Sequence, residues 1–376
     1  VNAGAEARPL RVFFATGEPS GDMLAAALAT AMRRIAPLEA SGIGNERMRE
    51  AGIELTERTT GWASLGPIEA LRRIPPLFAS NWRHALRLLA APRDLVVLVD
   101  FGAFNLRLAK SLRGLGYRRP ILYFFPPGAW LDRPAQARAV ARRTTALTPF
   151  AHQRDFYASL GLPIAYFGHP LVSLVEPRAP RPPAPPDGGT IALLPGSRRG
   201  EIARHVAPLV GACRRLRARR PNARFVMSAA DADAEASIRR ELAKQFFDGI
   251  AIVRGARAAF DEADVAAIAS GTAVLEATLR EVPAVALYIV AESQVAIARR
   301  VWQRPYVTLP NILLGREVVP ERLQTDATPE RLAEALEALL TDPEPQREAM
   351  RAVRAALGPP DALERCAAFA VELARS

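Results

Sequence analysis

Short, nearly uninterrupted apolar runs alternate along this chain with longer stretches whose apolar residues return at helical spacing. In the first half, Leu10–Ala15, Leu95–Val99, Pro120–Phe125, Thr145–Thr148 and Ile164–Phe167 read as buried strands. Ser20–Ile35 reads as a helix opening after a Ser/Gly/Asp turn, and Phe104–Leu115 as a helix ended near Gly116. The same alternation resumes later. Strands are expected at Thr190–Leu194, Arg224–Ser228, Ile250–Val253, Val265–Ala269 and Ala284–Ile289, with helices at Glu201–Arg219, Ala232–Phe247 and Thr272–Glu281. Three helices, Pro329–Leu340, Pro343–Leu357 and Pro360–Arg375, close the chain. Strands that are apolar on both faces and alternate with helices predict parallel sheets covered on both sides.

The period vanishes once, in the proline-dense stretch 177–189, where missing amide hydrogens rule out helix and sheet ladders and predict an extended connector. The expected organisation is a first α/β domain over 1–176, a linker over 177–189 and a second α/β domain over 190–357. A last helix over 358–376 is free to pack back on the first domain. Open parallel sheets bind ligands outside the carboxyl ends of their strands, so a cleft between two such ends is expected.

A length of 376 residues suits two domains of ordinary size, and 49% hydrophobic with 24% charged residues is the balance of a globular protein. No apolar run reaches the roughly 18 residues that cross a bilayer. Val1–Arg8 carries no apolar export core, which makes the cytoplasm the expected compartment. Cys213 and Cys366 lie far apart in helical segments and read as buried, inert thiols, and the four histidines have no metal-ligand spacing, so neither a zinc site nor any other metal or cofactor is expected. The net charge of +11 favours anionic partners. Arginine is spread along the chain without a basic tail or interleaved aromatics, so no nucleic-acid partner is expected.

Two strand-loop-helix junctions carry the most specific chemistry. Leu193-Leu-Pro-Gly-Ser-Arg-Arg-Gly-Glu201 and Ala269-Ser-Gly-Thr-Ala-Val-Leu-Glu276 each break an apolar run at a small-residue turn. Such turns aim free N–H groups and a helix dipole at an anion, and Gly196 and Gly271 let backbone come close to it. Packing alone also produces small-residue turns, but the pair, with Arg198 and Glu276, points to a nucleotide site.

The order and spacing of further segments carry a family resemblance over nearly the full length. These are Gly17-Glu-Pro-Ser-Gly-Asp22, Gly42-Ile-Gly-Asn-Glu-Arg-Met48, Leu65-Gly66, Asp100 with Phe104-Asn105, Phe167-Gly-His-Pro170, the two junctions above, and Leu309-Pro-Asn-Ile-Leu-Leu-Gly-Arg-Glu317. The chain resembles the lipid-A-disaccharide synthases, glycosyltransferases of the two-Rossmann GT-B architecture. The resemblance implies metal-free, inverting transfer of 2,3-diacylglucosamine from a UDP donor to 2,3-diacylglucosamine 1-phosphate. UDP is then expected on the second domain and the acylated acceptor mainly on the first.

Asp100, at the end of the apolar strand Leu95–Val99, is the candidate base. Gly196, Ser197, Arg198, Ser270, Gly271 and Thr272 are the candidate diphosphate contacts. Glu276 is the candidate for the ribose hydroxyls, and Asn311, Arg316 and Glu317 sit in a polar loop expected to line the donor site. Glu18, Ser20, Gly21 and Asp22 form a turn that either holds the acceptor head group or merely caps a helix. His169 reads as structural.

Two segments depart from the family pattern. The second carboxylate of Asp-x-Pro-Asp-Phe-Asn is Ala103 here, and Phe125-Pro-Pro-Gly-Ala-Trp-Leu-Asp-Arg133 keeps one Trp and one Arg at shifted positions. Neither Trp130 nor Arg133 is assigned a role. Two other readings stay open: another UDP-GlcNAc-using GT-B enzyme, such as a 2-epimerase or peptidoglycan-type transferase, which shares the architecture but leaves Gly17–Asp22 and Leu309–Glu317 unexplained, and a silent paralogue that binds nucleotide or lipid, suggested by Ala103 and the altered Trp segment.

Acylated substrates imply work at an anionic membrane surface, peripherally on the inner face of the cytoplasmic membrane. Leu71, Ile74, Phe78, Trp82, Leu86 and Leu89 recur at helical spacing, with Arg72, Arg73, Arg83 and Arg87 largely on other faces, which fits a membrane-surface helix or a core-facing one equally, and the acylated substrates favour the membrane. Pro75-Pro76 is expected to break or kink that run. A homodimer is left open.

Overall fold

The computed structural model describes residues 8–59, 62, 67–128, 132–179, 181–292, 295 and 304–376, with residues 67–74 described by their backbone only. The Leu65-Gly66 segment, Trp130 and the side chains of Leu71, Arg72, Arg73 and Ile74 lie outside that description. The chain divides into one unit made of 1–174 and 357–376 and a second made of 175–356.

The first unit runs β1 (Leu10–Ala15), α1 (Pro19–Arg33), β2 (Leu38–Gly44), α2 (Glu46–Glu50), β3 (Glu54–Arg58), α3 (Pro67–Ala90), β4 (Leu95–Val99), α4 (Gly102–Gly114), β5 (Ile121–Phe124), α5 (Pro134–Ala141), β6 (Thr145–Thr148), α6 (Ala151–Ser159), β7 (Ala165–Tyr166) and α7 (Leu171–Leu174). Its seven strands are parallel in the order β3-β2-β1-β4-β5-β6-β7. Every residue of β4 is buried, as a central parallel strand requires.

The second unit runs β8 (Thr190–Leu194), α8 (Arg199–Arg219), β9 (Arg224–Ala229), α9 (Ala232–Ala243), β10 (Ile250–Arg254), α10 (Ala256–Glu262), β11 (Val265–Ala269), α11 (Thr272–Leu279), β12 (Ala284–Tyr288), α12 (Leu309–Leu314), β13 (Glu321–Leu323), α13 (Pro329–Thr341) and α14 (Glu344–Leu357). Its six strands are again parallel, in the order β10-β9-β8-β11-β12-β13. Ile202, Val206, Leu209, Cys213 and Leu216 return every three or four residues along α8 and meet Leu332, Leu336 and Leu340 of α13 in one core. The alternating sheets and the two α/β units follow the pattern of apolar runs.

The last helix, α15 (Ala362–Arg375), belongs to the first unit. Leu363, Cys366, Ala367, Ala370 and Val371 form its inner stripe and pack with Leu24, Leu28 and Met32 of α1. Burying each of the larger side chains contributes about 1.5–3 kcal/mol, which is enough to hold the chain's end there. Both cysteines are free and buried, and burial pushes their thiols far up, that of Cys366 to about 12.

The proline-rich stretch is tied to the second unit. The Arg178 guanidinium donates to the Phe260 carbonyl at 2.7 Å, and that of Arg220 donates to Pro185 and Gly188 at 3.0 and 3.2 Å. Helix α3 continues through Pro75 and Pro76, so of the expected break or kink the break does not occur.

Candidate active site

Strand order fixes where ligands can approach. In each sheet the first strand lies between the second and the fourth, so the connections leave in opposite directions at β1/β4 and at β8/β11. Ala15 is in register with Leu98, and Leu194 with Ile268. The loops that follow those strands therefore emerge side by side, at the switch points where open α/β sheets bind ligands.

In the first unit these loops are Thr16–Glu18 and Asp100–Phe101. Asp100 and Phe101 both hold left-handed backbone, with φ of 47° and 44°. Such strain in residues with side chains costs about 1–3 kcal/mol each and persists only where the surroundings enforce it. Here the Asp100 carbonyl accepts from Asn105 Nδ2 at 2.8 Å and from Tyr123 Oη at 3.0 Å. The same Asn105 amide donates to the carbonyls of Ala15 and Val99 at 3.2 and 3.1 Å, stitching the ends of β1 and β4 together. The Phe101 ring lies over Gly17, where a Cβ would stand 2.3 Å from it, so only glycine fits. Trp62 and Phe104 complete an aromatic cluster with Phe101, their centroids 5.2–6.1 Å apart.

The Asp100 carboxyl is half-buried, and its pKa is raised to about 6, first by desolvation and second by the negative charge of Glu18. Glu18 and Ser20 are half-buried at the start of α1, while Gly21 is buried. Asp22 is 2% exposed and is spent on the fold: its carboxylate accepts the amides of Asn45 and Arg47 at 2.6 and 3.0 Å. Those two bonds anchor the turn before α2. Ala103 is exposed in the first turn of α4.

In the second unit, Gly196 takes φ +102°, Ser197 is exposed and Arg198 is half-buried. Glu201 closes the start of α8 by accepting from the Arg198 amide at 3.4 Å and from its guanidinium at 3.3 Å. Ser270 is half-buried, Gly271 and Thr272 are exposed, and Glu276 lies half-buried in the second turn of α11. Arg316 and Glu317 are exposed just past Gly315, which ends α12 in a left-handed conformation.

Asn311 lies inside its loop. It is 0% exposed, and its amide donates to the Val319 carbonyl and Glu321 while accepting from the amides of Val318 and Val319, all between 2.7 and 2.9 Å. Local polar density marked the segment, but the folded chain consumes this side chain internally. Sequence reasoning missed Glu321, which also accepts the amides of Val307 and Thr308 at 3.0 and 2.8 Å.

Comparison with known proteins decides the family. The sequence profile described as lipid-A-disaccharide synthetase matches residues 12–362. The chain is 36% identical to the lipid-A-disaccharide synthase of Anaeromyxobacter dehalogenans (strain 2CP-C), over 95% of this chain and 96% of that one. It is 35% identical to that of Pseudomonas aeruginosa (strain UCBPP-PA14), over 93% and 94%.

The chain belongs to the lipid-A-disaccharide synthase family. It is accordingly a glycosyltransferase of lipid A biosynthesis. Among solved structures, UDP-GlcNAc 2-epimerase from Neisseria meningitidis matches with a TM-score of 0.63 at 11% identity, covering 97% of this chain and all of that one. Acinetobacter baumannii MurG matches with a TM-score of 0.57 at 16% identity, covering 96% and 99%. At those identities they show the fold, GT-B, and nothing of the substrate.

In this synthase His169 is 3% exposed, its Nδ1 accepts from the Leu171 amide at 3.2 Å, and its ring packs against Phe125 and Phe150. Burial pushes its pKa down to about 3, so it stays neutral. Among the described residues no group of three or more His, Cys, Asp or Glu could hold a metal ion, and no helix is long and apolar enough to cross a membrane.

Proposed function

We propose that this synthase moves 2,3-diacylglucosamine from UDP to the 6-hydroxyl of 2,3-diacylglucosamine 1-phosphate with inversion, releasing UDP. The observation that carries the reading is Asp100, a strained, half-buried carboxylate at a switch point with its pKa raised to about 6. A base is most useful when its pKa lies near the working pH. Asp100 takes the proton as the acceptor oxygen attacks the anomeric carbon, and the bond from that carbon to the diphosphate breaks on the opposite face. Glu18 and Ser20 contact the acceptor head group.

The leaving diphosphate gathers negative charge and needs fixed donors. Gly196, Ser197 and Arg198 supply backbone N–H groups and a guanidinium. Ser270, Gly271 and Thr272 supply the start of α11, Glu276 accepts from the ribose hydroxyls, and Arg316 and Glu317 border the donor. The Pro195-Gly-Ser-Arg198 turn and the Ser270-Gly-Thr272 start, each following a strand at the switch point, support this assignment.

For the acylated substrates, α3 offers a surface. Phe78, Trp82 and Leu86 are 42%, 50% and 56% exposed at four-residue spacing, with Arg83 and Arg87 also exposed. Such a stripe suits the headgroup region of an anionic membrane on its cytoplasmic face.

The test is UDP release from the UDP-diacylglucosamine donor with and without the acylated acceptor. Release that requires the acceptor and yields the disaccharide supports the reading. Release without acceptor points to hydrolysis or epimerase-like chemistry, and no release overturns it.

A further inference from the structure

We infer that His205 is a positioning residue that locks the peptide plane of the phosphate-binding turn by bridging Pro195 to Ile289. This rests on the reading of that turn as the diphosphate site.

His205 lies on α8, is 0% exposed and makes two hydrogen bonds through its ring. Nδ1 meets the Pro195 carbonyl at 2.8 Å, and Nε2 meets the Ile289 amide at 2.9 Å. A carbonyl can only accept and an amide N–H can only donate, so the tautomer is fixed: Nδ1 carries the hydrogen and Nε2 is bare. Burial pushes the pKa of this imidazole down, in keeping with a neutral ring. The neighbouring Arg204 donates from Nε to the Ile289 carbonyl at 2.8 Å. Both polar groups of Ile289 are thus held by α8, and the ring is braced on a fixed post beyond the end of β12.

The consequence falls on the turn. In a planar trans peptide the C=O and N–H point in opposite directions. With the Pro195 carbonyl directed at His205, the Gly196 N–H of the same peptide is directed away from it. Gly196 sits at φ +102°, and glycine tolerates both signs of φ, so this peptide is the one in the turn that can rotate through half a turn at small steric cost. Rotation would present a carbonyl where the turn presents an N–H, and so repel an anion. The imidazole opposes that rotation. It touches no substrate, and its role is exerted through the Pro195–Gly196 peptide.

Three variants separate this from simple core packing. His205→Leu fills the space and removes both bonds. His205→Asn places an amide N–H at the reach of Nδ1 and can hold Pro195 but not Ile289. His205→Gln reaches the position of Nε2 and can accept from Ile289 but not donate to Pro195. UDP affinity by calorimetry, donor and acceptor KM, and melting temperature are measured on the full chain. The expected result is a roughly tenfold weaker UDP Kd and higher donor KM for Leu and Gln, an unchanged acceptor KM, and recovery of most UDP affinity in Asn. Variants that melt lower yet bind UDP like the native protein, or an Asn variant no better than Gln, overturn the inference. If the native protein itself does not bind UDP, the reading of the turn fails first and the inference falls with it.

Discussion

The loops at β1/β4 and at β8/β11 occupy equivalent places in two sheets of like topology, yet they are built in opposite ways. The first is tight and strained: two consecutive residues in left-handed backbone, a ring pressed on Gly17, and one amide serving three carbonyls. In the second, the turn after β8 is held at Gly196 in left-handed backbone, but the loop after β11 is open, with Gly271 in extended backbone and nothing within 4 Å of where its Cβ would stand. A proton acceptor must be held in one geometry with its charge partly desolvated. An anion clasp needs unoccupied space in front of its donors. The difference is the one expected if the first loop holds the proposed base and the second the proposed diphosphate contacts.

Breaking the first loop has the largest expected effect. Asp100→Asn keeps the shape and removes the proposed base, so kcat should fall about 10²- to 10⁴-fold with UDP affinity unchanged. The same change should raise stability at neutral pH. The folded pKa of Asp100 is raised, so the folded state binds its proton more readily than the unfolded chain between about 3.8 and 6. Its contribution is fully present below the lower value and lost as pH rises through about 6. At pH 7 the native carboxylate therefore costs up to about 3 kcal/mol that the amide avoids. Denaturant titrations at pH 7 and pH 4 check this: the variant's advantage should shrink on acidification, and an advantage that persists unchanged at pH 4 contradicts the assigned cause.

Arg198→Ala addresses the other loop. One charge-assisted contact to the diphosphate is lost, and UDP affinity should weaken by roughly 10- to 100-fold. Because Glu201 would lose a cationic neighbour, Arg198→Lys is the control that keeps the charge. A UDP Kd indifferent to both changes would remove the arginine from the donor site.

How much of this contrast was legible in the sequence depends on which force sets each feature. The strands β1, β4, β6, β8 and β11 were readable to the residue because parallel strands covered on both faces are largely apolar, with only Arg11, Thr145, Thr148 and Thr190 interrupting these five. Strand β2, Leu-Glu-Ala-Ser-Gly-Ile-Gly, was not, since small residues and glycine carry little strand preference and tertiary packing decides the matter. Edge strand β3 alternates exposed and half-buried residues, giving no apolar run to detect. In the site, Asp100 was visible because it ends a strand. Asp22 and Asn311 were equally conspicuous, yet they anchor backbone, because a short polar side chain in a turn serves local amides as readily as a ligand. His205 was invisible, as its partners lie 10 and 84 residues away.

A smaller effect sharpens the account of the first loop. Glu18 is the second cause of the raised Asp100 pKa, after desolvation, so Glu18→Gln should lower it without returning it to the ordinary carboxylate range. If Asp100 is the base, kcat/KM falls as pH drops through about 6, and the variant's acid limb should move to lower pH. A limb that stays in place separates the two carboxyls. A limb that vanishes would mean that Glu18 is itself the titrating group.

The smallest effect tests the openness of the second loop. Gly271 has φ 161°, which any residue adopts, and its missing side chain would enter free space. Gly271→Ala should therefore leave stability within about 0.5 kcal/mol of native. Gly196→Ala should not, since φ +102° disfavours a side chain and the added methyl would lie 2.6 Å from Glu201 Oε2. What distinguishes a clasp from an ordinary loop is that Gly271→Ala should still weaken UDP several-fold, because the methyl takes up room in front of the start of α11. Equal UDP affinity in Gly271→Ala and the native protein would show that the free space there is not where the diphosphate lies, and would leave the turn at Gly196 to hold it alone.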